Sequence, residues 1–454
     1  MSALVSHPSS FRDPSGFIFE KDGMYFRQVN HSYSQHYDML MNSGLYVQLT
    51  SEQHLVKHEE IEFSASQQKD AYKILKPYPV KFITYPYEWC PDQLKDAALL
   101  TLKLLRTSVD YGMILKDASP FNIQFVEGKP TFIDTLSFEK YDESKPWIAY
   151  RQFCNMFLFP LYLSHYLKTD IHKILITYPE GIPVEITSRL LPLKSSFSLG
   201  VWLHVYLQNT VGNSGKNIKT DNFSKKKLLN VVTHLENIIL KLNSRTVSSQ
   251  WIDYYESSII GKNYLTEKEH IIRNIIRELP VTSIIDLGCN DGHFAYIFAE
   301  HGFEVIAADS DSRSIGALYA DVKNRQIKNI LPLLLDVANP SPAIGFRNKE
   351  RSAFHTRVKT EVVLALALVH HLAIGKNISL EALAAYFNDI ATISIIEWVP
   401  RGDEKVEQMI ATRPDIFINY TQENFESAFS KHFRIKNRHQ IKDTQRVIYE
   451  MIKN

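Results

Sequence analysis

The chain has 454 residues, of which 44% are apolar and 12% aromatic, enough to build two or three domains with large cores. Its 51 basic and 50 acidic side chains exclude a global field that would draw the molecule onto nucleic acid or an acidic membrane, although a local basic patch is still allowed. The three cysteines, Cys90, Cys154 and Cys289, form no CxxC pair, which argues against a disulfide framework or a cysteine zinc site. We therefore expect a soluble, globular protein of a reducing cytoplasm.

The N-terminus has no charged region followed by an apolar run, so no secretory signal is predicted. The first strong pattern is GFIFEKDGMYFRQV (residues 16–29), which predicts a β-hairpin that turns at Asp22-Gly23. Next, ITYPYEWCP (residues 83–91) is interpreted as a hinge between two lobes, and the following residues, 93–109, predict an amphipathic helix.

A constellation of polar residues follows that helix. Asn122 comes five residues after Asp117, and Asp134 comes twelve residues after Asn122. This spacing resembles the catalytic loop and metal-binding strand of protein-kinase-like phosphotransferases, in which a loop carries the base and a hairpin returns a carboxylate to the same magnesium ion. The pattern is degenerate, because Leu115 stands where the family has a histidine and the first hairpin has no glycine-rich phosphate loop.

The resemblance implies a kinase-like α+β domain over residues 1–207, with ATP and magnesium as candidate ligands. Two alternatives are open. The first is that Asp117 and Asp134 are turn and strand-end residues of an unrelated helical domain. The second is that a degenerate kinase-like domain binds an acceptor or nucleotide for its neighbour.

The most apolar window, Phe153 to Leu167, is too short to span a bilayer and contains Pro160, so it predicts a buried core helix and no membrane span. From residue 208 the chain becomes polar, basic and glycine-containing, which indicates a linker and connecting helix over residues 208–250. A further domain is predicted over residues 251–454.

Apolar, strand-like segments alternate with amphipathic helices in this last region, which predicts a parallel sheet covered on both faces. The final two strand-like segments, FRIKNRHQI and QRVIYEMIK, have no helix between them and predict an antiparallel hairpin at the edge of that sheet. The fold class is therefore α/β, with a Rossmann-like sheet that ends in an antiparallel hairpin.

The stretch DLGCNDG (residues 286–292) joins the first of these strands to a helix. The first N–H groups of a helix lack partners and its dipole is positive there, so this is a place for a ligand with an anionic end. Gly288 and Gly292 allow a sharp turn, and Asn290 stands where a dinucleotide fingerprint has its middle glycine. Asp309 ends the next strand, at the spacing of an acidic residue that accepts hydrogen bonds from ribose hydroxyls.

Residues 255–454 resemble the class I S-adenosylmethionine-dependent methyltransferases, whose loop is acidic-x-Gly-x-x-x-Gly. The stretches NPSPAIGFRNKERSAF, LALALVHHLAI, EWVPRGDEKV and DIFINYTQENFESAF resemble a bacterial two-part family that includes nodulation-associated proteins. The resemblance implies that Asp286 contacts the amino-acid or ribose part of S-adenosyl-L-methionine, Asp309 its ribose, and Asp336 its adenine amino group. A structural turn in another doubly wound domain, one that binds NAD or nothing, is the alternative.

The fourth strand-like segment of this region ends in LALVHHL, which places His370 and His371 near the edge where chemistry occurs in open parallel sheets. A neutral imidazole is suited to take a proton from a hydroxyl or amine, so either residue is a candidate general base. If the backbone is extended here, the two side chains point to opposite faces. The alternative is that both histidines cap and pack the turn, and no metal site is predicted.

The long loop from Asp336 to Arg357 is a candidate lid or substrate wall, in which Arg347, Arg351 and Arg357 grip an anionic acceptor or cover the surface. The leading hypothesis is methyl transfer to an oxygen or nitrogen of a saccharide or small-metabolite acceptor. The rival hypotheses are a bifunctional or purely kinase-like phosphotransferase and a non-catalytic cofactor sensor.

Overall fold

The computed structural model describes residues 6–62, 70–213, 224–243, 262–411 and 414–454. The chain divides into two compact units. Unit 1 comprises Met1–Val247 with Ala343–Ser352, and unit 2 comprises Ser248–Pro342 with Ala353–Asn454. Residues 214–223 and 244–250 of the predicted linker and connecting helix (208–250) and the predicted domain start at residue 251 lie outside the described residues.

Unit 1 begins with an antiparallel sheet. Asp22 and Gly23 both have positive φ, 51° and 72°, as a two-residue hairpin turn of the primed type requires, so the predicted hairpin is confirmed. The strands follow the order β1-β2-β4-β3, each antiparallel to its neighbour. Their bounds are β1 (Gly16–Lys21), β2 (Met24–Asn30), β3 (His58–Ile61) and β4 (Ala71–Pro77).

The rest of unit 1 is mainly helical and packs around one long helix, α3, which begins at Pro91 where the missing N–H of proline has no cost. The helices are α1 (Ser34–Asn42), α2 (Leu45–Ser51), α3 (Pro91–Asp110), α4 (Tyr150–Phe153), α5 (Phe159–Leu167), α6 (Ile174–Thr177), α7 (Val184–Leu190), α8 (Leu199–Val201), α9 (Gln208–Asn213) and α10 (Lys225–Lys241). The apolar window around Pro160 is a buried helical segment, as predicted, and a π-helical turn precedes α5.

Two short hairpin-like pairs follow α3. They are β5 (Met113–Leu115) with β8 (Phe138–Lys140), and β6 (Ile123–Val126) with β7 (Lys129–Phe132). An antiparallel sheet followed by a helical part and these hairpins makes unit 1 an α+β unit with a kinase-like outline.

Unit 2 is a seven-stranded sheet in the order β11-β10-β9-β12-β13-β15-β14. The first five strands in this order are parallel, and β15 is antiparallel to both β13 and β14. The strands are β9 (Ser283–Leu287), β10 (Glu304–Asp309), β11 (Ile330–Leu334), β12 (Val362–Ala365), β13 (Ile393–Trp398), β14 (Phe433–Gln440) and β15 (Val447–Lys453). This confirms the Rossmann-like methyltransferase sheet with its terminal antiparallel hairpin.

The central strands of the sheet are buried on both faces, since all six residues of β13 are buried. Helices therefore cover both faces of the sheet. The helices are α11 (Lys262–Glu278), α12 (His293–Glu300), α13 (Ser312–Asn324), α14 (Phe354–Arg357), α15 (Leu380–Ile390), α16 (Glu404–Ala411) and α17 (Gln422–Ser430). Within the ranges that the structure describes, no helix combines the length and the apolar character needed to cross a membrane.

Candidate functional site

The strand order of unit 2 reverses at β9, with β10 on one side and β12 on the other. In open parallel sheets, ligands bind outside the carboxyl ends of the strands at such a switch point. The loop after β9 lies at this place. Gly288 and Gly292 have φ of 74° and 83°, and Asn290 has φ of 50°. Three left-handed residues in five bring the chain from the sheet into α12 by a tight turn.

The two glycines are closely surrounded. A Cβ atom added to Gly292 would lie 2.6 Å from Leu318 Cδ1, and one added to Gly288 would lie 3.2 Å from Leu368 Cδ1. Both space and conformation therefore oppose a side chain at Gly292, whereas at Gly288 the positive φ opposes one and Leu368 would have to move by only a few tenths of an ångström.

Asp286 lies near the end of β9, where it is paired in register with Ala307 of β10 and Leu364 of β12. It is buried, and its Oδ2 atom has no hydrogen-bond partner among the described residues. Burial raises the pKa of Asp286 to about 7, with a smaller contribution from Asp309 and an opposing one from Lys268. A buried acceptor without a donor is unusual in a folded protein and points to a ligand that supplies one.

Asp309 ends β10 and holds the loop in place. Its Oδ2 accepts the backbone N–H of Asn290 at 2.9 Å, and its Oδ1 accepts that of Asp311 at 2.9 Å. The backbone N–H of Ser310 also donates to this carboxylate, so three of its roughly four acceptor positions are used and about one is left for another donor. Burial raises the pKa of Asp309, although these backbone hydrogen bonds oppose the rise.

Asp336 comes two residues after β11, and the N–H of Leu335 between them donates to the backbone oxygen of Asp309 at 2.7 Å. Since β9, β10 and β11 are parallel, Asp286, Asp309 and Asp336 lie at one edge of the sheet. Asn290 is tied to α13 by a hydrogen bond from Ser314 Oγ at 3.1 Å. These residues fit a nucleoside with a cationic or donor-bearing end, because they combine the unpartnered Oδ2 of Asp286, a remaining acceptor position on Asp309 and a glycine turn.

The two histidines do not lie in extended backbone, so that part of the prediction is wrong. β12 ends at Ala365, Ala367 has φ of 52°, and His370 precedes a π-helical turn over His371–Gly375. The two rings are in contact, with centroids 4.1 Å apart and planes tilted by 37°. A left-handed residue takes the chain out of the sheet before the histidines, which apolar periodicity does not reveal.

His370 is fully buried, and neither of its ring nitrogens has a hydrogen-bond partner among the described residues. Burial lowers the pKa of His370 well below its usual range, and His371, Arg446 and Lys268 lower it further. Burial also lowers the pKa of His371 to about 4. Both imidazoles are therefore neutral at pH 7.

A buried charge network that the sequence analysis missed joins α11 to β13 and β15. Glu397 Oε2 lies 2.7 Å from Lys268 Nζ, and Glu397 Oε1 lies 3.3 Å from Arg446 Nη1. Burial alone would raise the pKa of Glu397, but the two cations hold it below its ordinary value. Tyr264 donates to Glu397, and Arg446 also pairs with Asp403 at 2.7 Å. The missed signal is Lys268, a charge on the apolar stripe of α11 that also carries Tyr264, Ile272 and Ile275.

Glu397 is therefore already paired with two cations. Among the described residues, no group of three or more His, Cys, Asp and Glu side chains is arranged to hold a metal ion.

Unit 1 contains a cavity of about 740 Å³, and Asp117, Asn122 and Asp134 all line it. The structure therefore brings together the three residues of the kinase-like spacing. Gln152 Nε2 donates to Asp117 at 2.7 Å, and the N–H of Ser119 donates at 3.0 Å. Burial raises the pKa of Asp117, and the nearby charge of Asp134 raises it further.

Arg27 of β2 is a second missed residue. Its Nη1 lies 2.5 Å from Asp134 Oδ1, and both side chains are largely buried. Lys116, beside Asp117, donates to Ser15 Oγ at 2.8 Å. Both cations and carboxylates therefore line the cavity.

The predicted lid is divided between the two units, because residues 343–352 belong to unit 1. Glu350 accepts hydrogen bonds from Arg12 at 2.9 and 3.0 Å. Arg351 stacks over Phe121 and lines the unit 1 cavity, whereas Arg357 lies in α14 of unit 2 over Phe354. Of the three predicted arginines, Arg347, whose φ is 58°, and Arg351 thus belong to unit 1, whereas Arg357 belongs to unit 2.

The chain is similar to known proteins in sequence and in structure. No family model matches it. Nodulation protein NoeA of Rhizobium meliloti (strain 1021) is 33% identical over 456 residues, which cover 97% of this chain and 94% of that protein.

Three solved structures are also similar. Magnesium protoporphyrin IX methyltransferase (ChlM) from Synechocystis PCC 6803 with bound SAH is 14% identical and covers 43% of this chain and 88% of its own, with a TM-score of 0.33. The N-methyltransferase NodS from Bradyrhizobium japonicum WM9 is 11% identical. The match covers 42% of this chain and 97% of NodS, with a TM-score of 0.33. The bifunctional kinase-methyltransferase WbdD is 12% identical. The match covers 44% of this chain and 42% of WbdD, with a TM-score of 0.31. The fold assignment rests on the strand order of unit 2.

Proposed function

The chain belongs to the family of the nodulation protein NoeA, and from this premise we propose that it is an S-adenosyl-L-methionine-dependent methyltransferase whose chemistry takes place in unit 2. The observation that carries the proposal is the loop after β9, at the switch point of the sheet. There Gly288 and Gly292 form a left-handed turn in which Gly292 has no room for a side chain, and the carboxylate of Asp309 accepts a hydrogen bond from that turn.

The residues would hold the cofactor as follows. Asp286 would accept from its amino-acid or ribose part, Asp309 from the ribose hydroxyls, and Asp336 from the adenine amino group. The unpartnered Oδ2 of Asp286 supports the first of these roles. When bound, the cofactor supplies an electrophilic methyl group, so the protein contributes mainly position and a dry site.

We propose that His370 or His371 removes the proton from the acceptor oxygen or nitrogen. Both are neutral at pH 7, because burial lowers the pKa of each. His370 has two unpaired ring nitrogens among the described residues, and a base needs one of them free. The proposed acceptor is a saccharide or another small metabolite, and the three free, buried cysteines are compatible with a reducing cytoplasm.

Calorimetry with S-adenosylhomocysteine tests the proposal. We expect binding by the wild type and at least about tenfold weaker binding by Asp309→Ala, since a hydrogen bond to a charged group is worth roughly 1.5–3 kcal/mol. The matched control is Asp389→Ala, an exposed carboxylate at the end of α15 that precedes β13. No binding by the wild type, or equal binding by all three proteins, would contradict the assignment.

Turnover separates an enzyme from a cofactor sensor. Conversion of S-adenosylmethionine to S-adenosylhomocysteine with a panel of saccharide acceptors should fall in His370→Ala or His371→Ala while cofactor affinity is kept. Tight cofactor binding with no turnover for any acceptor would favour the sensor.

The cavity of unit 1 favours a second candidate function, which is phosphotransfer. Asp117, Asn122 and Asp134 line it together, as a phosphotransferase site requires. ATP with magnesium should then bind the wild type and not Asp134→Ala. If the wild type does not bind ATP with magnesium, the kinase-like unit is a scaffold. The ion pair between Arg27 and Asp134 would then explain why Asp134 does not hold magnesium.

A further inference from the structure

Unit 1 exposes a compact group of apolar side chains that neither proposed site uses. We name it the apolar patch and define it as five residues within thirteen consecutive positions. Their exposed fractions are Leu190 45%, Leu193 89%, Phe197 93%, Leu199 64% and Trp202 48%. Single exposed apolar residues are ordinary on protein surfaces, but such a cluster marks an interaction site.

The backbone under the patch is fixed, so the exposure is built into the fold. Ser195 and Val201, which lie between the patch residues, and Val205, which follows them, are fully buried. A Cβ added to Gly200 would lie 2.7 Å from both Tyr162 Oη and Ile238 Cδ1, which shows how closely α8 packs onto α5 and α10. With this inner side packed, the patch side chains point away from the core.

The charged side chains along this stretch have one sign. Arg189, directly before the patch, and Lys194, within it, are both exposed, and residues 186–210 contain no Asp or Glu although the whole chain is nearly neutral. Leu, Phe and Trp side chains interleaved with Lys and Arg are the composition of segments that lie in a membrane interface and are attracted by anionic lipid headgroups.

A second copy of the chain fits the patch less well. A stable protein interface uses roughly 20–30 residues on each side, whereas the patch offers five side chains. We propose that the apolar patch is a peripheral membrane-binding surface, which inserts Leu193, Phe197 and Trp202 into the interface of a bilayer that contains anionic lipids. This proposal does not depend on the methyltransferase assignment.

Vesicle sedimentation with the full chain tests it. The wild type should bind vesicles of phosphatidylcholine and phosphatidylglycerol more strongly than vesicles of phosphatidylcholine alone, and added salt should weaken the binding. Leu193→Ser with Phe197→Ser should reduce the partition coefficient by about tenfold or more, because both are large apolar side chains. The matched control is Ile416→Ser with Ile418→Ser, which removes two comparably exposed apolar side chains, 65% and 71%, from unit 2 and should change nothing.

Tryptophan fluorescence gives an independent readout. Trp89, Trp147 and Trp398 are buried, so insertion of Trp202 should shift the emission to the blue when anionic vesicles are added. Trp251 lies outside the described residues, so the measurement is made in a Trp251→Phe background. The shift should disappear in Trp202→Phe.

Two results would overturn the proposal. The first is a failure of the vesicle test: either the wild type does not bind anionic vesicles, or the Leu193→Ser, Phe197→Ser protein binds them as well as the wild type does. The other is a concentration-dependent dimer in light scattering that this double variant abolishes without any vesicle binding, because the patch would then be a contact between copies. Circular dichroism of the double variant checks that these surface changes leave the fold intact.

Discussion

Gly292 and Gly302 have nearly the same backbone conformation but different surroundings. Their φ values are 83° and 86°. A Cβ at Gly292 would lie 2.6 Å from Leu318, whereas nothing lies within 4 Å of one at Gly302. At the scale of a single residue, the pair separates the cost of conformation from the cost of space.

We expect Gly302→Ala to cost about 1–2 kcal/mol of unfolding free energy, the usual penalty for a left-handed residue with a side chain. Gly292→Ala should cost a further ~1–3 kcal/mol through overpacking against Leu318 and should weaken S-adenosylhomocysteine binding. Urea unfolding and calorimetry of the two variants measure these effects. Equal losses of stability would show that Leu318 moves aside at no cost.

Asp286 predicts a dependence of stability on pH. Burial, with smaller contributions from Asp309 and Asp291, raises its pKa from 3.8 to about 7, so the folded state binds a proton that the unfolded state has released. Stability should therefore fall as the pH rises from about 4 to 7 and level off above that, by up to ~4 kcal/mol.

Asp286→Asn should remove most of this slope, because an amide stays neutral when buried. Urea unfolding at pH 5 and pH 8 provides the comparison, with the exposed neighbour Asp291→Asn as a control that keeps most of the wild-type slope. Identical slopes for all three proteins would mean that Asp286 is ionised in the folded state well below pH 7.

At the scale of elements, the buried charge network determines how α11 joins the sheet. Lys268 is the one cation that α11 contributes to Glu397, and both side chains are essentially inaccessible to solvent. Removing one partner of a buried pair leaves the other charge without compensation, whereas replacing both partners by neutral groups is often tolerated.

Lys268→Met should therefore lower the unfolding free energy by about 3–5 kcal/mol, and Lys268→Met with Glu397→Gln should recover part of that loss. The exposed pair of Arg273 and Glu300, 3.6 Å apart, provides the control, since Arg273→Met should change stability by less than about 1 kcal/mol. If the double variant has no higher unfolding free energy than Lys268→Met alone, the expectation is contradicted.

At the scale of the whole molecule, the two candidate sites belong to separate units. Asp309 lies in unit 2, and Asp134 lies in the unit 1 cavity. A ligand that binds only the folded state stabilises it by about 2.7 kcal/mol at a hundred times its dissociation constant.

Saturating S-adenosylhomocysteine should therefore raise the unfolding midpoint of wild type and Asp134→Ala by the same amount and that of Asp309→Ala much less. Scanning calorimetry with and without the ligand measures the shift. If Asp134→Ala also loses it, then the cofactor site needs unit 1, and the assignment of the chemistry to unit 2 alone is wrong.

The sequence by itself determined the elements whose signals are local. The hairpin at Asp22-Gly23 needs residues that tolerate positive φ, and the parallel sheet of unit 2 needs strands that are apolar on both faces. The glycine turn and the carboxylates at the ends of β9 and β10 follow from the same local pattern. These features could be read because each depends on residues that are neighbours in the chain.

Only the tertiary structure decided what depends on distant contacts. It showed the helical turn at His370, the pairing of Lys268 with Glu397 and Arg27 with Asp134, and the place of residues 343–352 in unit 1. The partners in each pair are separated by more than a hundred positions, and nothing in the local pattern of either one names the other. Burial of a charge or an imidazole, and the pKa that results, is a property of the packed core and is set only when that core has formed.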